Sequence, residues 1–67
     1  MDDRKRLQIL LDHWMEHNRD HAEEFQEWAR RARDFAEEAA SDNISKAVGR
    51  LEEANEFLLR AAEELKE

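Results

Sequence analysis

The chain has 67 residues, a formal net charge of −7, no cysteine, no proline and a single glycine. A chain of this length forms one domain at most, here residues 1–67, and buries too little surface to be very stable alone. The absence of cysteine excludes disulfides, thiolate metal sites and thiol catalysis. The acidic balance argues against nucleic acids and anionic membranes as partners, because both attract a basic surface. No run is apolar enough for a signal peptide or a membrane span, so we expect a cytoplasmic protein.

The first half of the sequence has the periodicity of one long amphipathic helix. Residues recur in a row at every seventh position, and a second row follows the first by four residues. The first row is Leu7, Trp14, His21, Trp28 and Phe35, and the second is Leu11, Asn18, Phe25, Ala32 and Ala39. Together they form a continuous stripe, which predicts a helix over about residues 3–40 with its aromatic side chains in the core.

The second half of the sequence repeats this device after a short polar break. Its rows, also spaced by seven residues, are Ile44, Leu51, Leu58 and Leu65, then Ala47, Ala54 and Ala61, then Val48, Asn55 and Ala62. They predict a second helix over about residues 43–66. The break lies in AASDNIS, residues 39–45, where Ser41 or Asp42 is expected to cap the second helix. A connection this short predicts an all-α antiparallel helical hairpin.

The two predicted helices differ in length, and this difference bears on assembly. At about 1.5 Å per residue they span about 57 Å and about 36 Å, so the second helix would reach only to about Asn18. The segment Leu7–His17 would then expose a large apolar surface. We expect two hairpins to cover it by pairing as a homodimer, a four-helix bundle. The alternative is a three-helix bundle in which helix 1 breaks near Asn18, with Asp20 and Glu23 as a capping box.

Three histidines, His13, His17 and His21, stand four residues apart in the first half. On a helix each neighbouring pair shares one face and can chelate nickel, cobalt, zinc or copper(II) through neutral imidazole. Glu24 follows His21 by three residues and could add a carboxylate ligand. One ion is not expected to bind all three histidines, because His13 and His21 would lie about 12 Å apart along a straight helix. A complete site needs further ligands from water, a second chain or helix 2.

Two other interpretations of the histidines remain open. They could be structural, since His13 points off the stripe and His17 lies at its edge. His21 lies on the stripe, where Asn18 could be its hydrogen-bond partner. They could also sense pH, because imidazole titrates near neutrality. An enzyme is not expected, since the chain has no nucleophile–base pair, no phosphate-binding loop and little room for a substrate cleft.

The run LLDHWMEHNRDHAEEFQEWARRA contains the pattern H-W-x-x-H-N-x-x-H-A-x-x-[FY]-x-x-W-A. The matching residues are His13, Trp14, His17, Asn18, His21, Ala22, Phe25, Trp28 and Ala29. In this the chain resembles a family of small bacterial and archaeal helical proteins of unknown function, and EEANEFLLRA, residues 52–61, is similar to that family's second helix. The resemblance implies an association with nickel-binding accessory proteins of carbon monoxide dehydrogenase maturation, and hence a transition-metal role for the histidines. The pattern is also regular enough for a designed sequence.

Two functional hypotheses follow from these observations. The first is a small transition-metal carrier or accessory protein, binding nickel, cobalt, zinc or copper and serving a metalloprotein client. Its candidate ligands are His13, His17, His21 and Glu24. The second is a metal-free helical module for self-association or partner binding.

Overall fold

The protein is an antiparallel hairpin of two α-helices, as the sequence predicts. A computed structural model describes residues 2–66, so the first and last residues of the expected domain lie outside it. Helix α1 spans Asp3–Asp34 and helix α2 spans Glu38–Glu64, with no strand in the described part of the chain. None of residues 2–66 belongs to a helix that is long and apolar enough to cross a membrane.

Helix α1 has a well-formed start and no interruption. The Asp2 carboxylate caps it by accepting a hydrogen bond of 2.9 Å from the Lys5 backbone N–H. Asp3 in the first turn and Arg31 and Arg33 in the last turn complement the helix dipole. The helix continues through Asn18, so the structure adopts the hairpin and not the three-helix alternative.

The turn between the helices lies earlier in the chain than the sequence indicates. Ala36 adopts a left-handed conformation with φ 69°. The Ala36 N–H donates to the Arg33 carbonyl at 3.1 Å, and the Glu37 N–H donates to the Ala32 carbonyl at 2.8 Å. This is a Schellman closure, which ends α1 by satisfying its last carbonyl groups.

The prediction that Ser41 or Asp42 caps the second helix is therefore wrong. Glu37 is the N-cap residue of α2, and its side chain makes no capping hydrogen bond. Ser41 and Asp42 lie inside α2 instead. Ser41 is 1% exposed, and its hydroxyl donates to the Ala29 carbonyl at 2.7 Å, so it joins the two helices near the turn.

The earlier turn removes the predicted mismatch in helix length. Helix α1 has 32 residues and α2 has 27, or about 48 Å and about 40 Å of helix. The end of α2 reaches the start of α1, because the Leu65 carbonyl accepts hydrogen bonds from Arg4 at 3.1 Å and Gln8 at 3.4 Å. The predicted overhang of Leu7–His17 beyond helix 2 is therefore wrong, because α2 runs alongside this segment.

The helices meet along a seam with alternating spacings of three and four residues, as in a coiled coil. All members of the seam are buried or half-buried. On α1 they are Gln8, Leu11, Met15, Asn18, Ala22, Phe25, Ala29 and Ala32, and on the α2 side Ser41, Ile44, Val48, Leu51, Asn55, Leu58, Ala62 and Leu65. Among them, only Leu11, at 3% exposed, and Val48, at 5%, are fully buried apolar side chains larger than alanine. The seam fixes the pairing of the helices but provides a small core.

Candidate functional site

The aromatic row of α1 lies outside the seam, contrary to the expectation that it forms the core. Trp14 is 42% exposed, Trp28 is 50% exposed and Phe35 is 62% exposed. Leu7 in the same row is 38% exposed. The predicted stripe therefore divides into two lines. The row from Leu7 to Phe35, with a spacing of seven residues, flanks the seam. The second row lies within the seam at Leu11, Asn18, Phe25 and Ala32.

A line of small residues on α2 flanks the seam on the same side as the aromatic row. Among residues 2–66, four residues outside the seam are half-buried and the rest are exposed. These four are His21, Ala47, Ala54 and Ala61. Trp28 and Ala47 line one apolar cleft of ≈ 480 Å³ near the turn, together with Phe25 and Ile44 from the seam. We define the aromatic face as the side that carries Leu7, Leu10, Trp14 and Trp28 on α1, Phe35 directly after it, and Ala47, Ala54 and Ala61 on α2.

The opposite side of the seam, the charged side, has a different chemistry. We define it by the lines Asp12, Arg19, Gln26 and Arg33 on α1 and Ser45, Glu52 and Leu59 on α2, all exposed. Two clefts open on this side, and their walls include the arginines, glutamate and glutamine of these lines. Arg33 donates to the Ser41 hydroxyl at 3.1 Å and to the Asp42 carboxylate at 3.2 Å. The polar side chains of these lines are exposed to water.

The hairpin exposes more surface than a compact monomer of its size. Its accessible surface is 5475 Å², whereas a folded monomer of 8.0 kDa is expected to expose about 4,500 Å². Its radius of gyration is 15.5 Å, against about 11 Å for a compact chain of this length. The excess of about 1,000 Å² is close to the roughly 800 Å² that each partner buries in a standard protein interface.

The three candidate histidines follow one another along α1, on the edge of the aromatic face. His13 and His17 are exposed, and their rings are stacked with centroids 6.1 Å apart. His17 and His21 are closer, with centroids 4.4 Å apart and planes at 73°. His21 is half-buried and its ring lies 5.8 Å from that of Phe25. The structure thus distinguishes one close imidazole pair, His17 and His21, from a more distant third ring.

The fourth candidate ligand, Glu24, does not complete a site within one chain. It is exposed and lines the apolar cleft beside Trp28. Within residues 2–66 no group of three or more His, Cys, Asp or Glu side chains is placed to hold a metal ion. In the described part of the hairpin, the closest candidate ligands are therefore the two imidazoles of His17 and His21.

The expected hydrogen bond between Asn18 and His21 is not formed. Asn18 Nδ2 donates instead to Asn55 Oδ1 at 3.0 Å, and Asn55 Nδ2 donates to the Met15 carbonyl at 3.0 Å. Both asparagines belong to the seam and satisfy each other across it. The sequence signal for this pair was available, since each asparagine occupies a seam position of its helix.

The fold and its uncovered side define a class: a coiled-coil-like helical hairpin with one apolar face left open. The chain belongs to the family described as Domain of unknown function (DUF8180), whose model matches residues 7–65. This confirms the expected membership of a small family of unknown function, while the association with nickel-binding proteins stays a prediction. No curated protein and no solved structure matches the chain.

Proposed function

We propose that this protein is a helical self-association module whose working form is a homodimer. Two hairpins would pack their aromatic faces together to make a four-helix bundle. The observation that carries the proposal is that five of the eight large apolar side chains exposed within residues 2–66 lie on one side of the hairpin, each at least 37% exposed: Leu7, Leu10, Trp14, Trp28 and Phe35. The other three are Ile9, Phe57 and Leu59. Large apolar patches on one side of a protein usually mark an interaction site.

The composition of the face supports a second copy as the occupant. Bulky residues lie on α1, while the matching line of α2 consists of Ala47, Ala54 and Ala61. Small residues on one helix let neighbouring helices approach, and the large residues fill the remaining space. The excess exposed area of about 1,000 Å² also matches what one partner of a stable dimer buries.

Sedimentation equilibrium over a hundredfold range of concentration tests this proposal. We expect the wild-type chain to have twice the monomer mass of 8.0 kDa at micromolar concentration. The double variant Trp14→Glu/Trp28→Glu should weaken the dimer by at least a hundredfold, because it buries two carboxylates per chain in the interface. Gln26→Glu/Ser45→Glu adds the same charge on the charged side and is the matched control.

The outcomes separate clearly. A wild-type monomer at 100 µM would overturn the proposal whatever the variants do. Equal weakening by the two double variants would also overturn it, since the effect would then come from net charge. If the tryptophan variant does not fold, Trp14→Gln/Trp28→Gln, which adds no charge, provides the same comparison.

A second candidate function is that of a histidine-based transition-metal carrier or accessory protein with a metalloprotein client. The close His17 and His21 rings, 4.4 Å apart, favour it, because such pairs bind nickel, cobalt, zinc and copper(II). The resemblance to proteins associated with nickel-binding accessory factors points the same way. Calorimetric titration with the four metals tests it. His17→Ala should abolish binding, whereas His13→Ala should leave the close pair intact.

A further inference from the structure

The aromatic face is interrupted at its centre by imidazoles. Helix α1 spans Asp3–Asp34, so its midpoint lies between Asn18 and Arg19. His17 and His21 flank that midpoint. The large apolar residues of the face lie on either side of them, Leu7, Leu10 and Trp14 towards the start of α1 and Trp28 and Phe35 towards its end. The face therefore has a polar centre between two apolar halves.

Two hairpins can pack face to face about a two-fold axis in two ways. In one, the axis runs along the hairpin, and α1 of each copy lies on α2 of the other. In the other, the axis crosses the hairpin at its middle, and the two α1 helices lie antiparallel on each other. Only the second arrangement places the midpoint of one α1 over the midpoint of the other, because a crossing axis reverses the direction along the helix.

The chemistry of the histidines favours the second arrangement. With α1 on α2, the imidazoles at the middle of α1 would meet the apolar line of α2 around Ala54, and their ring nitrogens would lose water without gaining a partner. Burying a polar group without a hydrogen bond or a ligand is costly. With α1 on α1, the imidazoles of one copy meet the imidazoles of the other.

We propose that the homodimer holds one transition-metal ion at its centre, bound by His17 and His21 of both copies. This inference rests on the proposed self-association. Four neutral imidazole nitrogens form a complete tetrahedral set for zinc or cobalt(II). Each chain supplies two of them, which agrees with the absence of any three-ligand group within residues 2–66 of a single chain.

The geometry of the imidazole pair suits a shared ion. Two nitrogens bound to one tetrahedral zinc lie about 3.3 Å apart, from metal–nitrogen bonds of about 2.0–2.1 Å. The His17 and His21 rings, with centroids 4.4 Å apart and planes at 73°, can turn one edge each towards such a point. His13 is exposed and lies one turn further from the midpoint of α1 than His17, so it is not part of the set. Glu24, one turn beyond His21, is not needed as a ligand.

The test uses the metal-free protein titrated with Co²⁺, followed by visible absorption, with Zn²⁺ as a competitor and sedimentation in parallel. We expect half an equivalent of Co²⁺ per chain, the intense absorption of tetrahedral cobalt, and at least a hundredfold tightening of the dimer. His17→Ala and His21→Ala should each abolish the absorption. His13→Ala should change neither the stoichiometry nor the spectrum.

Each contrary result has a definite meaning. One equivalent of Co²⁺ per chain, or weakening by His13→Ala, would overturn the shared site in favour of a simple pair on each helix. A dimer that forms in chelator and takes up no metal would overturn the shared site and leave the self-association proposal standing. A chain that stays monomeric with and without metal would overturn both.

Discussion

The aromatic face and the charged side flank the same seam, and they differ in what they require from their surroundings. The aromatic face carries Trp14 at 42% and Trp28 at 50% exposure, and nothing in the hairpin covers them. The charged side carries Arg33, whose guanidinium is already engaged by Ser41 and Asp42. Apart from Leu59, the charged side carries polar side chains suited to water, whereas the aromatic face exposes several large side chains that would be more stable in contact with protein.

In the proposed homodimer, this difference makes the hairpin one half of a layered structure. Stable domains bury the apolar surface of each helix against another element. Here α1 presents two neighbouring apolar lines, and α2 covers only the one that contains Leu11 and Phe25. The second line is left uncovered by the hairpin, and in the proposed homodimer the helices of a second copy would cover it. Substitutions on each side and in the seam can break or sharpen this comparison.

The largest expected effect is on the aromatic face. Trp28→Ala should lower the stability of the dimer by about 3–5 kcal/mol per buried ring, as for other large aromatic truncations. At concentrations where the hairpin is monomeric the loss should be much smaller, because Trp28 is then 50% exposed. Thermal melts at one concentration well below and one well above the dissociation constant of the dimer measure both values. Gln26→Ala on the charged side should show little change at either concentration, and equal losses for Trp28→Ala at both would contradict the comparison.

The seam beneath both sides should show the next largest effect. Leu11 is 3% exposed. Leu11→Ala should lower the free energy of unfolding by about 2–4 kcal/mol, because it leaves a cavity in the seam. Ile9, two residues away and 56% exposed, is the control, and Ile9→Ala should cost about 0.5 kcal/mol or less. Urea unfolding at one fixed protein concentration measures the difference. Similar midpoints for the two variants would show that the seam does not hold the helices together.

The asparagine pair in the seam should have an intermediate effect. Asn55→Ala removes the acceptor of Asn18 and should cost about 1–3 kcal/mol, since it leaves a half-buried amide without a partner. Asn18→Ala/Asn55→Ala should cost less than the sum of the two single changes. A double-mutant cycle by urea unfolding measures this coupling. Strict additivity would mean that the hydrogen bond contributes nothing.

Gly49 allows a stabilising change away from both the seam and the aromatic face. It lies in α2 and is exposed, and an added Cβ would meet nothing within 4 Å. Gly49→Ala should therefore raise stability by about 0.5–1 kcal/mol, because alanine favours a helix interior. The dissociation constant of the dimer should stay the same. A changed dissociation constant would place Gly49 in the interface and contradict the proposed face.

The smallest effect is expected for the ion pair on the charged side. Asp42 and Arg33 are joined at 3.2 Å, with side chains 67% and 56% exposed. Exposed pairs of this kind contribute at most about 1 kcal/mol, and salt screens them. Asp42→Asn should lower the melting temperature slightly at low ionic strength and not at 0.5 M salt. A loss that persists at high salt would indicate that Asp42 has another role.

The sequence predicts the hairpin, most of the α2 seam and one of the two rows of the α1 seam, because these follow from periodicity. The other α1 row was missed, because its members are small or polar beside the aromatic row: Gln8, Met15, Ala22 and Ala29. Spacings of three and four residues fix which side of each helix is apolar, and this is sufficient to define two helices. The turn was misplaced because it has none of the usual signals. Ala36, at φ 69°, occupies the left-handed position that glycine normally takes. The missed clue was Ser41, which lies three residues before Ile44 and so continues the seam of α2 back towards the turn.

The aromatic row could be found from the sequence, but its surroundings could not. Hydrophobicity predicts that Trp14 and Trp28 need contact, without specifying whether their own chain or another provides it. It was likewise predictable that His17 and His21 share a helix face, because they are four residues apart, but not that their rings lie closer than those of His13 and His17. Whether other ligands meet them depends on assembly, which one chain's periodicity does not encode.

The hydrogen bonds from Arg4 and Gln8 to the Leu65 carbonyl hold the two ends of the hairpin side by side. A mechanical load applied to those ends would pull the helices apart at the open end first, one pair of seam residues after another. Rupture would then advance towards the turn, where Ser41 and Ala29 are joined at 2.7 Å. The molecule should therefore unzip at low force, whereas the same load applied along a single helix would have to shear the whole seam at once.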